Sequence, residues 1–433
     1  MPDSLRPLCP LEELHVGDRS RAVVTVEVEG GLDLDVLAAA WSRTLDAHPT
    51  ADSRIVPHGG GFALERLGAA DRPGLAEPAP GEDVMTEIAT SPLPVGGPVA
   101  RLSTAARGSD TVVGLVVDHV VTDGTSALTL HTELWRHYAA VLAGEPARPA
   151  AAAWPATVSE RLPAVSGDAV AALLAERLEQ ARDRPLAQLP YVEAGGDGAP
   201  SAGRQPVHNV RVALSADRTG ELAAGARTLG TSVHGVTAAA LLLAIREELG
   251  GSGTAALGCF SPVDLRSRVE PPAAAGVMLP LVSGFPDVVD VAPGEGPEHV
   301  GPLARRVTEG LRGALAGDGW AVETALLARL VDHPELLATT VIVSNMGRIA
   351  GPVSPPGLRL RDTRLTAGRE DYGPGFGQGP LFACVSTVDG AFSLEIPYTP
   401  VCSPPAQIER VRARTLATLE RIADAGARAA LSV

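Results

Sequence analysis

A chain of 433 residues exceeds the usual size of a single core, so two domains or one doubled architecture is expected, with ample material for a buried interior. Hydrophobic residues make up 45% and charged ones 20%, ordinary values for a globular protein, while a net charge of -15 without any basic cluster argues against a nucleic-acid surface, which needs positive charge to displace counterions. All 36 basic residues are Arg, which excludes a P-loop lysine, the Schiff-base lysine of pyridoxal enzymes and a lysine nucleophile.

No run of 18 or more apolar residues occurs, and "MPDSLRPLCP" lacks the charged start and apolar middle of a signal peptide, so a cytoplasmic protein with no membrane span is expected. Cys9, Cys259, Cys384 and Cys402 lie far apart with no C-x-x-C pair, so neither a metal site nor a disulfide framework is signalled. G-x-S-x-G, H-E-x-x-H and G-x-G-x-x-G are absent as well.

In chain order, "RAVVTVEVEG" alternates Val with polar residues and predicts a strand; "LDVLAAAWSRTLDAH" has helical spacing and stops at Pro49; "DSRIV" is a further short strand. Residues 68 to 98, rich in Gly, Pro and Ala, signal little. A strand from Thr111 to Val117 runs into "VVDHVVTDG", after which Ala127, Leu128, His131, Leu134, Trp135, Tyr138, Val141 and Leu142 share one helical face that ends at Gly144. A helix is expected around 167 to 183, and the Gly-rich "EAGGDGAPSAGRQP" reads as the connection between halves.

The second half opens on the strand "VHNVRVALS", a helix capped by Ser215 and closed by Gly230, and a long apolar helix from Ser232 to Leu249. Strands are expected at 255 to 261, 277 to 283, 340 to 344 and 359 to 366, then a hairpin of "LFACVSTV" and "AFSLEIPY" turning at Asp389-Gly390, then a C-terminal amphipathic helix from about Pro405. The pattern predicts a doubled α/β architecture with an N-terminal subdomain at 1–165, a connecting segment at 166–205 and a C-terminal subdomain at 206–433.

Chemistry concentrates at His119, Asp123 and Gly124, in the turn between a buried strand and a helix N-terminus, where a side chain can be lifted into a crevice. Asp-Gly is also a common turn pair, and a strand-end histidine is often simply hydrogen-bonded, so the hexapeptide alone leaves catalysis and an ordinary turn both open. His131 and His137 are read as core or rim residues of the following helix, and Thr122, Thr125 and Ser126 as loop and cap hydroxyls.

"HPTADSRIV" at 48–56, "HVVTDG" at 119–124, "WRHYAAVLAGEP" at 135–146, "PVDLR" at 262–266 and "VSNMG" at 343–347 follow one order. Together they resemble the thioester-dependent acyltransferases with the chloramphenicol-acetyltransferase fold: condensation domains, plant alcohol acyltransferases and, closest in length and in "VSNMG", mycobacterial polyketide-associated enzymes of the phthiocerol dimycocerosyl transferase type.

The resemblance implies two similar subdomains, each a mixed sheet covered by helices, with a tunnel between them. It implies His119 as the general base, Asp123 paired with Arg266 as a brace for the loop, Gly124 as space beside the reacting centre, and Ser344 and Asn345 near the tunnel. Where the family has a first histidine, a position that is mostly structural there, this chain has Asp118, a carboxylate that would affect substrate positioning by orienting the imidazole, raising its pKa or contacting an amine acceptor. No permanently bound cofactor is implied; the donor is acyl-coenzyme A or a phosphopantetheinyl carrier protein and the acceptor an alcohol or amine. A free-standing condensation enzyme joining carrier-bound substrates, or a non-catalytic carrier-docking module, would share the same pattern. "EDYGPGFGQGP" at 370–380 is only a loose counterpart of the plant D-F-G-W-G loop.

Overall fold

Alternating Val and Thr shape the strand Ser20–Gly30, which in the computed structural model is the second of four antiparallel strands ordered Leu358–Arg369, Ser20–Gly30, Asp110–Asp118 and Ala100–Arg107. The structure describes residues 5–76, 83–147, 153–190, 206–330, 332–333, 336, 339–369, 378–400 and 402–430.

One face of this sheet is covered by the helices Leu34–Ala47 and Gly124–Leu142, whose Leu37, Trp41, Leu45, Leu134, Trp135 and Tyr138 form a core with Val26 and Val28. The first helix begins where the Asp33 carboxylate accepts the amides of Asp35 and Val36 at 2.9 and 3.1 Å, and it stops before Pro49, which disfavours helical backbone in the preceding residue. The short helix Val84–Ala89 covers the opposite face, with Met85 and Ile88 packed on Val23 and Val116.

The second sheet has six strands in the order Val282–Val291, Ala255–Asp264, Val341–Ile349, Leu381–Val388, Ala391–Tyr398, His208–Leu214. Val341–Ile349 runs parallel to both neighbours and the other pairs are antiparallel, so this sheet is mixed, whereas the first departs from expectation in being wholly antiparallel. The hairpin turns at Asp389 and Gly390, both at positive φ (49° and 86°), as a two-residue turn of the favoured twist requires. Its core is closed by the helices Ala216–Thr228, Val233–Leu249, Val300–Ala314 and Pro405–Ala430. Among the described residues no single helix is long and apolar enough to cross a membrane.

The strand expected at 277–283 instead starts at Val282 and runs to Val291. The apolar run before it is held as a loop because the Arg266 guanidinium takes the carbonyls of Val277 and Leu279 at 3.1 and 3.4 Å. Pro286 and two Asp residues hid the true strand; it lies at the sheet edge, where proline is tolerated. The helix Gly167–Asp183 forms as expected, capped by Ser166, while most of "EAGGDGAPSAGRQP" lies outside the described residues, as do 370–377 of the Gly-rich loop.

Strand Leu358–Arg369 comes late in the chain yet completes the first sheet, pairing with Ser20–Gly30. Arg364 on this strand donates twice, at 2.8 Å each, to Glu395 of the second sheet, whose carboxylate is buried. Burial opposes the Arg364 charge, but Glu395 outweighs it and lifts the guanidinium above its ordinary pKa. Paired, bidentate geometry is what makes such burial tolerable.

Candidate active site

Strand Asp110–Asp118 ends where Asp118 N–H donates to Val99 O at 2.8 Å and His119 N–H donates to Ser20 O at 2.9 Å. Val120 and Val121 then plunge into the core, 1% and 0% exposed, which pins the loop from below. Alternation along the strand sends successive side chains to opposite faces, so His119 faces the space between the two sheets and Asp118 turns from it.

Asp118 is not among the residues that line the cavity. Its Oδ1 accepts the Val120 N–H at 3.0 Å and its Oδ2 stands 3.6 Å from the Arg19 guanidinium, with the side chain 3% exposed. The carboxylate therefore holds the backbone that carries His119.

Asp123 caps the helix Gly124–Leu142. Its Oδ1 accepts Ser126 N–H at 2.9 Å, and Ser126 Oγ accepts Asp123 N–H at 3.0 Å in return. Oδ2 receives Arg266 Nη1 at 2.6 Å, and the same nitrogen lies 3.2 Å from Asp264 Oδ1. Both partners of the main pair are 5% exposed. Burial works against the Arg266 charge, but the carboxylates of Asp123 and Asp264 prevail and raise its pKa. One guanidinium thus ties the start of the helix Gly124–Leu142 to the second sheet and to the 277–281 loop.

A Cβ at Gly124 would meet Met346 Sδ, near the end of a flexible side chain, so a larger residue there needs Met346 to shift. That contact places "VSNMG" directly against the loop. Ser344 and Asn345 line the same cavity as His119, and Asn345 Oδ1 accepts Gly347 N–H at 2.8 Å, closing a turn in which Gly347 has φ 70°. The cavity encloses about 360 Å³ and draws its walls from both sheets.

Sequence reasoning missed His15. It lies on the helix Pro10–Asp18, and its ring stacks on His119 with centroids 4.2 Å apart and planes inclined by 22°. Its Nδ1 is 3.3 Å from Ser20 Oγ, so the residue whose carbonyl holds the His119 backbone also engages the stacked ring. Leu11, Leu14 and His15 all line the cavity, and their spacing of three and four was a legible helical face. The helix is anchored by buried Glu12, which accepts from Arg6 at 2.7 Å, Cys9 N–H at 3.1 Å and Val158 N–H at 3.1 Å.

Tyr398, Thr399 and Cys402 also reach the cavity and carried no sequence signal. Burial raises the Cys402 and Cys384 thiols and pushes that of Cys259 up to about 12, which argues against an activated thiolate at any of the three. His131 is a core residue, accepting Trp135 Nε1–H at 3.3 Å, with its pKa pushed by burial down to about 4; His137 is half-buried against Thr44 Oγ1 at 3.0 Å. Thr122 Oγ1 contacts Ser126 Oγ at 2.9 Å, and Thr125 Oγ1 donates to Asp264 Oδ2 at 3.2 Å at the cavity wall.

A family model described as Phthiocerol/phthiodiolone dimycocerosyl transferase C-terminus matches residues 203–397. The chain is 25% identical over 383 residues to a Phthiocerol/phthiodiolone dimycocerosyl transferase of Mycobacterium sp. (strain JLS), covering 82% of this chain and 85% of that one. Polyketide synthase associated protein 5 from Mycobacterium tuberculosis superposes with a TM-score of 0.71 at 21% identity, over 96% of this chain and 98% of that one. TRI3 trichothecene 15-O-acetyltransferase from Fusarium sporotrichioides gives 0.75 at 12% identity, over 96% and 95%. The chain has their two-lobed fold, the chloramphenicol-acetyltransferase fold, with the cavity between the lobes.

Proposed function

We infer that this chain, which has the fold of the thioester-dependent acyltransferases and is similar along most of its length to a dimycocerosyl transferase, is itself an acyltransferase. It moves an acyl group from a coenzyme A or carrier-protein thioester to a hydroxyl or amine in natural-product or complex-lipid assembly. The observation that carries this reading is the His119 imidazole at the wall of an inter-sheet cavity, on a loop fixed by the buried Asp123–Arg266 pair.

A neutral imidazole removes the proton from the acceptor as that group attacks the thioester carbonyl. The tetrahedral oxyanion then collapses, the C–S bond breaks, and the departing thiolate takes the proton back from the imidazolium. No covalent acyl-enzyme is needed, in keeping with buried thiols whose pKa values are raised. The loop bracing matters because a displacement of about 1 Å can cost on the order of a hundredfold in rate.

The test is release of free thiol from acyl-coenzyme A and from an acylated carrier protein, each with alcohol and amine acceptors, by the wild type and by His119→Ala. Turnover by the wild type and its loss in a folded His119→Ala protein is the expected result; undiminished turnover in the variant overturns the mechanism. The donor giving the higher kcat/KM identifies the thioester used.

A further inference from the structure

Along strand Ala255–Asp264 the side chains of Phe260, Pro262 and Asp264 fall on one face by alternation, and all three residues line the reaction cavity. Asp264 ends that row with a carboxylate. Its Oδ1 is filled, accepting the Arg266 backbone N–H at 2.8 Å and Arg266 Nη1 at 3.2 Å. Among the described residues Oδ2 accepts one hydrogen bond, from the Thr125 hydroxyl at 3.2 Å, and a carboxylate oxygen has a second lone pair to offer. The side chain is 41% exposed, so a ligand in the cavity reaches it.

Two carboxylates, Asp123 and Asp264, line this cavity, and both turn to one guanidinium, that of Arg266. The three side chains together carry one net negative charge. Asp123 is already engaged, capping a helix with one oxygen and holding Arg266 with the other, and is 8% exposed. The charge therefore meets the cavity at Asp264. Among the described residues no arginine lines this space, although the chain has 36, whereas a neighbouring cavity of about 880 Å³ is lined by Arg177, Arg182, Arg184 and Arg306. An anion brought beside His119 meets a carboxylate and no guanidinium; a cation meets a partner.

We propose that Asp264 is a specificity residue, favouring a substrate that carries a cationic nitrogen near its reacting group and disfavouring one that carries a carboxylate there. The proposal rests on the acyl-transfer reading above and narrows the substrate class of that same site. For an acceptor this means an amino alcohol or a diamine; for a donor, an aminoacyl thioester. In either case the cationic nitrogen keeps its protons and pairs with Oδ2, while the acyl group passes to a different atom. Discrimination then comes from attraction of one charge and repulsion of the other.

The test compares isosteres that differ only in charge, so that shape and volume cancel. Choline and neohexyl alcohol, its carbon isostere, form the acceptor pair; γ-trimethylammoniobutyryl-coenzyme A and its carbon isostere form the donor pair. Each compound is titrated alone into the wild type by calorimetry, without the second substrate and hence without transfer. In one pair the cation is expected to bind tighter by roughly fivefold or more, with the preference falling as salt is raised. Asp264→Asn keeps an oxygen for Thr125 and Arg266 but loses the charge, and is expected to bring the two affinities to within about twofold of each other. Asp264→Ser replaces it should the amide variant not fold.

The pair that shows the preference names the substrate that carries the charge. A purely structural Asp264 lowers both members of a pair alike, so a ratio that survives its substitution overturns the proposal. Equal affinities, or no binding, in both pairs overturn it as well. Absent thiol release by the wild type with these substrates, with the Asp264-dependent preference intact, overturns the acyl-transfer reading and not this one.

Discussion

The imidazoles of His15 and His119 lie stacked, 4.2 Å between centroids, brought together because the helix Pro10–Asp18 leads directly into the strand that pairs with Asp110–Asp118. Stacking fixes the plane of the His119 ring, and with it the direction in which its nitrogens face the cavity. On the proposed mechanism, in which His119 is the base, His15→Ala is expected to lower kcat by about tenfold or more through lost alignment with the reacting proton, with unchanged KM. His15→Phe retains a ring to stack on and is expected to recover most of that loss. Steady-state kinetics together with a melting curve check this; equal losses in both variants would reject a positioning role.

The Asp123–Arg266 pair is buried, so removing one partner strands a charge. Arg266→Met leaves Asp123 without its guanidinium and is expected to destabilise the fold by about 3–5 kcal/mol, read by urea unfolding. Asp123→Ala loses the helix cap as well, worth about 1 kcal/mol more. The double variant Asp123→Asn with Arg266→Met is expected to be more stable than Arg266→Met alone. A double variant that only sums the two single losses would argue against coupling.

Gly124 packs against Met346, so a side chain there has to displace the thioether. Gly124→Ala is expected to lower turnover by roughly tenfold by pushing the loop and His119 out of line. Met346→Ala in the same background removes the obstructing sulfur and is expected to restore activity in part. Thiol release from the two variants measures both effects.

His131 is neutral in the folded protein, with its pKa near 4 because burial disfavours the charged ring. Its ordinary value is 6.5, so between pH 6.5 and about 4 the unfolded chain binds the additional proton. Stability is therefore complete above that window and declines as pH falls through it, by up to ~3 kcal/mol from this residue. His131→Gln, which cannot titrate but keeps an acceptor for Trp135, is expected to flatten urea-unfolding free energy across the same window. An unchanged slope would assign the loss to other groups.

How much of this was legible in the sequence depends on how local each signal is. The strand, turn and helix around His119 could be read directly, because Val alternation, an Asp cap and helical spacing lie within one short stretch. The partnership of Asp123 with Arg266 came only from the ordered resemblance, since nothing in either segment specifies a contact across the sheets. Asp118 drew attention only through its place at the family's first histidine, and its pairing with Arg19 across the fold carried no local signal. His15 escaped because its helix is short and sits where the chain start offered few other cues. The strand Val282–Val291 was hidden by residues that only an edge position tolerates.

Strand Leu358–Arg369 sets a schedule for making the protein. At a synthesis rate of about 5–20 residues per second, strand Ser20–Gly30 waits tens of seconds on the ribosome before its outer neighbour exists. During that interval the first sheet presents an open edge of alternating valines, the kind of surface that recruits strands from other chains. Expression conditions that slow elongation, or fragments ending before residue 358, would lengthen that exposure and send the product toward aggregates rather than toward a smaller active enzyme.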